Sequence, residues 1–313
     1  MKYQTYKWTI DVKNAALTPF QSDTIWGHFI WAIKLQQSDD VFNKILNEFK
    51  QDEYKPWIIS NAFPNNQLPL VRLGMDFDKP KLKTEAIKLQ NFKDIISQVQ
   101  WVSRELFDKM QDGMTLKDIY EQFEDIKSLN ELGVIITNTE VVNVVEKNSI
   151  NRLTNTTIEG ALFSQPETFY RTPLDIYIKI RDGFDINIIK EAIHYITQTG
   201  YGKKASTGKG QINTISFEPT SFNEASGAFI TLSNYIPKHK DYSDCLYTKV
   251  GTKKGKIADA DEPNPFKSPF CYYQYGSIFR GIVSDNKGKM LDGLHPNSNI
   301  VQYGIPFTVG IKA

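Results

Sequence analysis

A glycine-rich segment at residues 200–210, with the sequence Gly-Tyr-Gly-Lys-Lys-Ala-Ser-Thr-Gly-Lys-Gly, constrains this chain more than any other stretch. Glycine permits positive φ angles and lets another molecule approach the backbone closely. The amides of such a loop can bind phosphate oxygens, and its three lysines add positive charge. From this segment alone, a solvated surface turn and a phosphate-binding loop are both open interpretations.

The glycine-rich segment does not match the common nucleotide-binding loops. A Walker A loop has Gly-Lys-Ser/Thr where a helix begins, whereas here a helix is predicted before the glycines and Gly-Lys-Gly-Gln ends the stretch. The dinucleotide motif Gly-x-Gly-x-x-Gly would follow a strand. Binding of a free nucleotide phosphate is therefore a third hypothesis, and no acidic Mg²⁺ motif accompanies it.

Apolar patterns on both sides of the glycine-rich segment indicate strands and helices. Alternation over residues 6–12 predicts a half-buried strand. Ser22 and Asp23 stand where a helix N-cap belongs, before a run of apolar residues at helical spacing. Asp185 is expected to cap a second helix, which ends at the first glycine of the segment. Alternating residues over 211–217 predict the strand that follows.

The region between these flanks is predicted to contain a large helical insertion at about residues 37–130. Its Pro-containing stretch over 56–80 is expected to be a loop. The resulting order β-α-(insertion)-β-β-α-β over residues 1–218 is that of a ferredoxin-like domain. The expected helices cover residues 41–49, 84–110 and 116–123, and the expected strands cover residues 134–136, 141–145 and 169–180.

Residues 219–313 are predicted to form a second, smaller ferredoxin-like domain that is rich in strands. Alternation supports strands over 228–236, 270–283 and 305–311, while helical spacing is scarce. The predicted fold class is therefore α+β, with two ferredoxin-like (RRM-like) domains of which the first carries the helical insertion.

The composition limits the kinds of partner that this chain can have. Its 37 Lys and Arg residues nearly balance 36 Asp and Glu residues, so any nucleic-acid site must be a local patch. The two cysteines, Cys245 and Cys271, form no CxxC motif, so neither a disulfide framework, a metal site nor a cofactor is expected. Because neither a signal peptide nor a run of about 18 apolar residues is present, we expect a cytoplasmic protein without a membrane span.

A polar stretch from Asn148 to Thr154 is a second candidate site. Ile150 is its apolar residue at an alternate position, and Arg152 supplies a positive charge. The pattern is typical of an exposed hairpin that wedges into RNA. An ordinary hairpin with a salt-bridged arginine is the structural alternative.

Three stretches together resemble the RAMP superfamily of CRISPR proteins, whose ferredoxin-like domains carry a Gly-rich loop between the last helix and the last strand. They are the glycine-rich segment, Thr18–Gly27, and Asn148–Thr154 with the following 159–163. With Ile-Thr-Leu-Ser at 230–233, the combination is similar to the family of fourth subunits of type III-A Csm effector complexes. The family often has a histidine where this chain has Lys147.

The resemblance implies a non-catalytic subunit that binds CRISPR RNA (crRNA) and serves in antiviral defence. Such a subunit caps the end of the complex that holds the 5′ repeat-derived tag of the guide. The resemblance also implies contacts with the large polymerase-like Cas ten subunit and with the backbone RAMP subunit. The tag would be held by the glycine-rich segment and by the hairpin that carries the third stretch.

The chemistry of the side chains supports an RNA site. Lysines suit phosphates, hydroxyl groups can bond phosphate or the 2′-OH, and Tyr201 is expected to stack on a base. Ser22 and Asp23 are either a helix N-cap alone or also face RNA or the partner subunit. The expected RNA-binding residues are Gly200, Tyr201, Gly202, Lys203, Lys204, Ser206, Thr207, Gly208, Lys209, Gly210, Asn148, Ile150, Arg152, Thr154, Ser22 and Asp23.

A metal-independent CRISPR-repeat endoribonuclease is the alternative function. Some RAMP ribonucleases use a histidine on the first helix as general acid or base, and His28 occupies that helix here. Such nucleases place the Gly-rich loop near the C-terminus, whereas about a hundred residues follow it in this chain. A histidine packed against the flanking tryptophans is the structural alternative for His28.

Overall fold

The computed structural model describes residues 2–51, 53–158, 160–241, 245–257, 263–298 and 300–312. Its α-helices are α1 (Ser22–Gln36), α2 (Asp39–Lys50), α3 (Lys83–Gln98), α4 (Arg104–Gln111), α5 (Leu116–Glu121), α6 (Ile126–Leu132) and α7 (Ile186–Thr199). Its strands are β1 (Tyr3–Val12), β2 (Trp57–Pro64), β3 (Gln67–Pro69), β4 (Trp101–Ser103), β5 (Val134–Ile135), β6 (Glu140–Lys147), β7 (Ile150–Asn151), β8 (Thr156–Thr157), β9 (Phe163–Tyr170), β10 (Leu174–Arg181), β11 (Ile212–Thr220), β12 (Gly227–Thr231), β13 (Cys245–Tyr247), β14 (Val250–Lys253), β15 (Phe270–Tyr273), β16 (Ile278–Arg280) and β17 (Thr308–Lys312).

The first sheet has the strand order β11-β1-β10-β2, and every pairing in it is antiparallel. Helix α1 follows β1 and α7 follows β10, so the sequential order of these elements is β-α-β-β-α-β. This is the ferredoxin-like topology, and it confirms the predicted α+β class. Trp8 of β1 packs its ring against Phe29 of α1, with ring centroids 5.9 Å apart, which places the helix on one face of the sheet.

The second strand of this sheet differs from the prediction. Strand β2 lies within the stretch 56–80 that was expected to be a loop, and it pairs with β10. Three consecutive residues of this strand, Trp57, Ile58 and Ile59, are fully buried, because both faces of the strand are covered. A strand buried on both faces has no alternating pattern, so only the flanking prolines were visible as a signal.

The insertion therefore begins after β2 rather than after α1. Residues 65–173 contain the sheet β3-β4-β5, helices α3 to α6, and a long hairpin formed by β6 and β9. The helix expected over residues 84–110 is broken by β4, which pairs with β3 and β5. Helix α4 starts afresh there, because the Ser103 hydroxyl accepts the N–H of Leu106 at 3.2 Å and caps it.

The second sheet repeats the topology of the first with loops in place of helices. Its order is β13-β16-β12-β17, which places the fourth strand beside the first and the third beside the second. Between the strands, the described residues contain a single 3₁₀-helix, His239–Asp241. The scarce helical spacing in the sequence of residues 219–313 therefore agrees with the scarcity of helices in the described part of this region. The division into domains at residue 218 stays a prediction, and β11 itself runs to Thr220.

One continuous apolar core joins the two sheets. Tyr303 from the second unit is 1% exposed and stacks on Trp26 of α1 with ring centroids 5.4 Å apart. Its hydroxyl accepts the N–H of Ile59 at 3.1 Å. On the neighbouring strand, Tyr177 packs against Phe307 of the second unit. The second unit thus packs on the first through large buried rings, and the burial of such rings removes apolar surface from water.

In the part of the chain that the structure describes, we find no helix with the length and apolar character needed to cross a membrane.

Candidate nucleic-acid interface

The glycine-rich segment is a loop whose two ends are fastened together and to the start of the chain. Gly200 ends α7, and its N–H donates to the carbonyl of Ile196 at 2.8 Å. The N–H of Tyr201 then donates to the carbonyl of Gly210, and the N–H of Gly210 donates to the carbonyl of Ala15, both at 2.9 Å. These bonds close the base of the loop between α7 and β11, and they fix the position of its central residues relative to the sheet.

Two of the glycines are required by the space around them. Gly210 has φ +63°, and a Cβ placed there would lie 2.1 Å from the carbonyl oxygen of Tyr201. Gly202 has φ +77°, and its Cβ would lie 2.6 Å from the Cβ of Thr18. Gly208 also has a positive φ, of +83°, but it faces open space. The segment thus needs glycine for close backbone packing at its base and only for its φ angle at Gly208.

Tyr201 is part of the core under the loop, so the expectation that it stacks on a base is wrong. Its side chain is 2% exposed, and its ring stacks on Phe20 with centroids 4.2 Å apart. Its hydroxyl donates to the carbonyl of Pro19 at 2.8 Å. Burial raises the pKa of this hydroxyl well above its ordinary value. The ring fixes the loop to the turn before α1 instead of offering a surface to RNA.

His28 supports the loop from below. Its Nε2 accepts the N–H of Gly202 at 3.0 Å, and its ring lies 4.7 Å from that of Tyr201. Burial lowers the pKa of His28 to about 4. An imidazole whose Nε2 lone pair is held by a backbone amide lacks the free base that general acid–base catalysis needs. The geometry therefore favours the packed histidine over the catalytic one.

The support from His28 predicts a pH-dependent stability. The imidazole has a pKa near 6.5 when the chain is unfolded and about 4 when it is folded, so the unfolded state binds more protons between these values. The contribution is fully present above pH 6.5 and is lost as the pH falls towards 4, by up to about 3 kcal/mol. We expect His28→Gln, which keeps an acceptor but does not titrate, to flatten this dependence in denaturant titrations.

The matched control for this measurement is His194→Gln, because His194 is exposed on α7. Equal pH dependence in the His28→Gln variant and the wild-type protein would contradict the assigned role.

Two of the three lysines of the segment are held by the hairpin of β6 and β9. Lys204 Nζ donates to Gln165 Oε1 at 3.0 Å, and Lys209 Nζ contacts Glu167 Oε2 at 2.7 Å. Lys203 is exposed, and its backbone N–H donates to the Thr18 hydroxyl at 2.9 Å. Gln165 and Glu167 were not expected from the sequence, because only the pairing of β9 with β6 turns them towards the loop.

The hairpin of β6 and β9, named here the 140–170 hairpin, presents the third stretch at its tip. Asn148, Ile150, Arg152 and Thr154 are all exposed there, and Leu153 is 96% exposed. Arg152 makes no ion pair with any residue that the structure describes. Glu159 lies outside the described residues. Large exposed apolar side chains line this hairpin: Val142, Val144, Val145, Ile150, Leu153, Ile158, Leu162, Phe163 and Phe169.

Ser22 and Asp23 face the second unit rather than solvent, so their expected contact with RNA is wrong. The Ser22 hydroxyl accepts the N–H of Asn234 at 3.0 Å. The carboxylate of Asp23 accepts Lys253 Nζ and Gln302 Nε2, each at 2.8 Å. Helix α1 begins at Ser22, with Gln21 in the N-cap position, so neither residue is the cap. These side chains join the start of α1 to the second unit.

Comparison with known proteins identifies the fold. No family model matches the chain, and no curated protein matches it in sequence. Among solved structures, a chain of the Csm3-Csm4 subcomplex of the type III-A CRISPR-Cas interference complex matches with a TM-score of 0.64 and 14% identity, over 99% of this chain and 100% of that chain. Chains of Csm1-Csm4 cassettes match over 98% of both chains: one in complex with pppApA with a TM-score of 0.63 and one in complex with cA4 with 0.62, each at 13% identity.

These three structures have Csm4 in common. The structural likeness spans nearly the whole chain, including the insertion and the second unit, and confirms the expected resemblance at the level of the fold. At 13–14% identity the comparison concerns the path of the backbone and not the chemistry of individual residues.

Proposed function

We propose that this chain is a non-catalytic, crRNA-binding subunit of a type III-A CRISPR effector ribonucleoprotein. It would cap the end that holds the 5′ repeat-derived tag of the guide. The observation that carries this proposal is a glycine-rich segment, rigidly fastened at its base, that lies beside an exposed apolar hairpin on a Csm4-like fold. Both elements are unfavourable in the free protein. The glycine-rich segment loses the backbone freedom of its glycines, and the hairpin exposes apolar surface to water.

The centre of the glycine-rich segment suits the backbone of single-stranded RNA. Ser206 and Thr207 are exposed on a short 3₁₀-helix, Ala205–Thr207, and Lys203 and Gly208 are exposed beside it. The ammonium and hydroxyl groups can bond phosphate oxygens or the 2′-OH, and Gly208 has no Cβ to hold the RNA away. Contacts of this kind fix the position of the backbone without selecting a base, which matches a subunit that holds one fixed end of every guide.

The tip of the 140–170 hairpin suits insertion between bases or against a partner subunit. Leu153 and Ile150 expose most of their side chains, and Arg152 lies between them. Contiguous exposed apolar side chains mark interaction sites, because burying them on binding removes apolar surface from water. We propose that Asn148, Ile150, Arg152 and Thr154 contact the guide where it leaves the tag.

The proposed protein partners follow from the assemblies of the structural neighbours. Csm4 occurs with Csm1 in one set of these structures and with Csm3 in another. We propose that this chain likewise bridges a large polymerase-like subunit and a backbone RAMP subunit. Reconstitution with cognate guide RNA and the other subunits tests this directly, and a chain that never enters the complex would overturn the proposal.

Replacing Lys203, Lys204 and Lys209 together with alanine is expected to weaken guide binding and to flatten its salt dependence. Each phosphate on a single strand that loses its lysine contact lowers the slope of log K against log salt by about 0.7. The triple variant, which loses contacts with one or two phosphates, should therefore show a slope lower by about 0.7–1.4. Fluorescence anisotropy with labelled guide over a salt series measures this slope. An unchanged slope would count against phosphate contacts in the segment.

The matched control removes the same charge elsewhere. Lys79, Lys81 and Lys83 are exposed in the insertion, and their triple alanine variant should bind guide with the wild-type slope. Incubation of the purified protein with repeat RNA tests the nuclease alternative. Metal-independent cleavage of repeat RNA that His28→Ala abolishes would replace the present proposal, whereas intact RNA agrees with the binding role.

A further inference from the structure

A nearly buried carboxylate organises lysines from two different elements at the base of the 140–170 hairpin. The Glu167 side chain is 5% exposed, and its two oxygens contact Lys209 at 2.7 Å and Lys147 at 3.5 Å. Lys209 belongs to the glycine-rich segment, whereas Lys147 ends β6. The hydrogen bond from Lys209 is the main cause that lowers the pKa of Glu167, so this carboxylate is ionised at neutral pH.

A third ammonium group lies in the same cluster. Lys204 is linked to Glu167 through Gln165, whose Oε1 accepts Lys204 Nζ at 3.0 Å and whose Nε2 donates to Glu167 at 3.2 Å. Burial and the neighbouring ammonium groups of Lys147 and Lys203 lower the pKa of Lys204. Its ammonium group therefore lies close to like charges, which is unfavourable unless an anion joins them.

The charges of this cluster do not balance. Three ammonium groups surround one carboxylate, so the cluster carries two positive charges in excess. A latch between the hairpin and the loop would need only one of these lysines. The side chains of Lys147 and Lys209 are 27% and 28% exposed, so each also reaches solvent. The arrangement has room and charge for one further anion at the surface.

We infer that Lys147, Lys204 and Lys209 form a binding site for one phosphate group of the RNA backbone, with Glu167 as the positioning residue that holds them. This inference rests on the proposed function and adds Lys147 and Glu167 to it. Lysine loses much side-chain freedom when it binds a phosphate. Because Glu167 and Gln165 already hold the three ammonium groups, part of this loss is incurred before the RNA arrives. The site lies where RNA would pass from the glycine-rich segment to the hairpin.

The test uses the full chain and a series of guide RNAs, each with one neutral methylphosphonate linkage. We expect the wild-type protein to lose affinity at one linkage in particular. Lys147→Gln should bind unmodified guide roughly 3- to 10-fold more weakly and should show a smaller loss of affinity at that linkage. Its salt slope should fall by less than about 0.7, because two lysines remain at the phosphate. Lys147→Arg, which keeps the charge, should bind as the wild type does, and Lys79→Gln serves as the control for lost charge.

Glu167→Gln separates positioning from simple charge. This variant gains net positive charge, so its salt slope should equal or exceed that of the wild type. The lysines are no longer held in place in this variant. The loss of affinity that a methylphosphonate causes should therefore be spread over several neighbouring linkages instead of being confined to one. An acidic residue that served only to neutralise the lysines would leave the linkage profile sharp, and that result would overturn the positioning role.

The outcomes distinguish this inference from the proposed function. A wild-type protein that binds no guide RNA, alone or in the assembled complex, would overturn both. A wild-type protein that binds guide while Lys147→Gln keeps the same affinity, salt slope and linkage profile would overturn only the phosphate site. Thermal unfolding of each variant shows whether an affinity loss arises from a damaged fold.

Discussion

Replacing Asp23 with alanine is expected to lower the free energy of unfolding by about 3–5 kcal/mol, because it leaves a partly buried lysine without its carboxylate. The side chain of Asp23 is 4% exposed and that of Lys253 is 23% exposed. Gln302 donates to the same carboxylate at 2.8 Å and Asn234 donates at 3.1 Å. All three partners come from the second unit, so the substitution removes three of the polar contacts that join it to α1.

Asp23→Ala should affect the glycine-rich segment as well as the free energy of unfolding. Lys253 also donates to Gln21 at 2.8 Å, and Gln21 follows Phe20, whose ring stacks on Tyr201. Loosening the start of α1 therefore loosens the support beneath the loop. We expect weaker guide binding by Asp23→Ala even under conditions where the variant is folded.

Denaturant titration of a small set of variants tests this coupling. Asp78→Ala removes an exposed partner of Lys117 and should leave the unfolding midpoint unchanged. Asp23→Ala combined with Lys253→Met should be less damaging than the sum of the two single variants, because no charge is left without a partner. Additive losses would show that the pair does not interact as the structure indicates.

Replacing Gly210 with alanine is expected to cost about 2–4 kcal/mol and to weaken guide binding at least tenfold. The added Cβ would lie 2.1 Å from the carbonyl oxygen of Tyr201, and the φ of +63° disfavours any L side chain. The atom in the way belongs to the backbone that closes the base of the loop, so it cannot move without breaking the Tyr201–Gly210 hydrogen bond.

Two other glycines separate the causes of this loss. Gly208→Ala has the same unfavourable φ sign but open space, so about 1 kcal/mol is expected. Gly27→Ala has neither a positive φ nor a neighbour within 4 Å, and on α1 it should be neutral or slightly stabilising. Thermal unfolding ranks the three variants by stability, and fluorescence anisotropy ranks them by their affinity for guide RNA. A Gly210→Ala variant that behaves like Gly208→Ala would show that the base of the loop is not closed as described.

Part of the fold was predictable because its signals are local. Alternation in β1, the cap of α7 at Asp185 and the terminating Gly200 each depend on neighbours within a few residues. The Asp185 side chain indeed accepts the N–H of Asn187 at 2.9 Å. Strand β2 escaped prediction because it is covered on both faces, and what covers it is distant in sequence, such as Tyr303. The resulting apolar run between prolines has no period to recognise.

The candidate site was predictable in its chemistry and not in its exposure. Glycines, lysines and hydroxyl groups between a helix and a strand already indicated a phosphate-binding loop. Tyr201 and Asp23 have side chains that suit RNA equally well, yet the first is covered by Phe20 and the second by Lys253. Glu167 gave no signal at all, because its partners Lys147 and Lys209 are 20 and 42 residues away in sequence.

The amino-acid sequence by itself determined the ferredoxin-like order around the glycine-rich segment and the residue types that this segment offers. Propensity, capping and the φ freedom of glycine act over a few residues, so they are written in the local sequence. Only the tertiary structure decided which of those residues face solvent and which support the loop. Burial and ion pairing depend on elements that meet through space, and here Lys147, Glu167 and Lys209 meet only because the 140–170 hairpin folds back onto the loop.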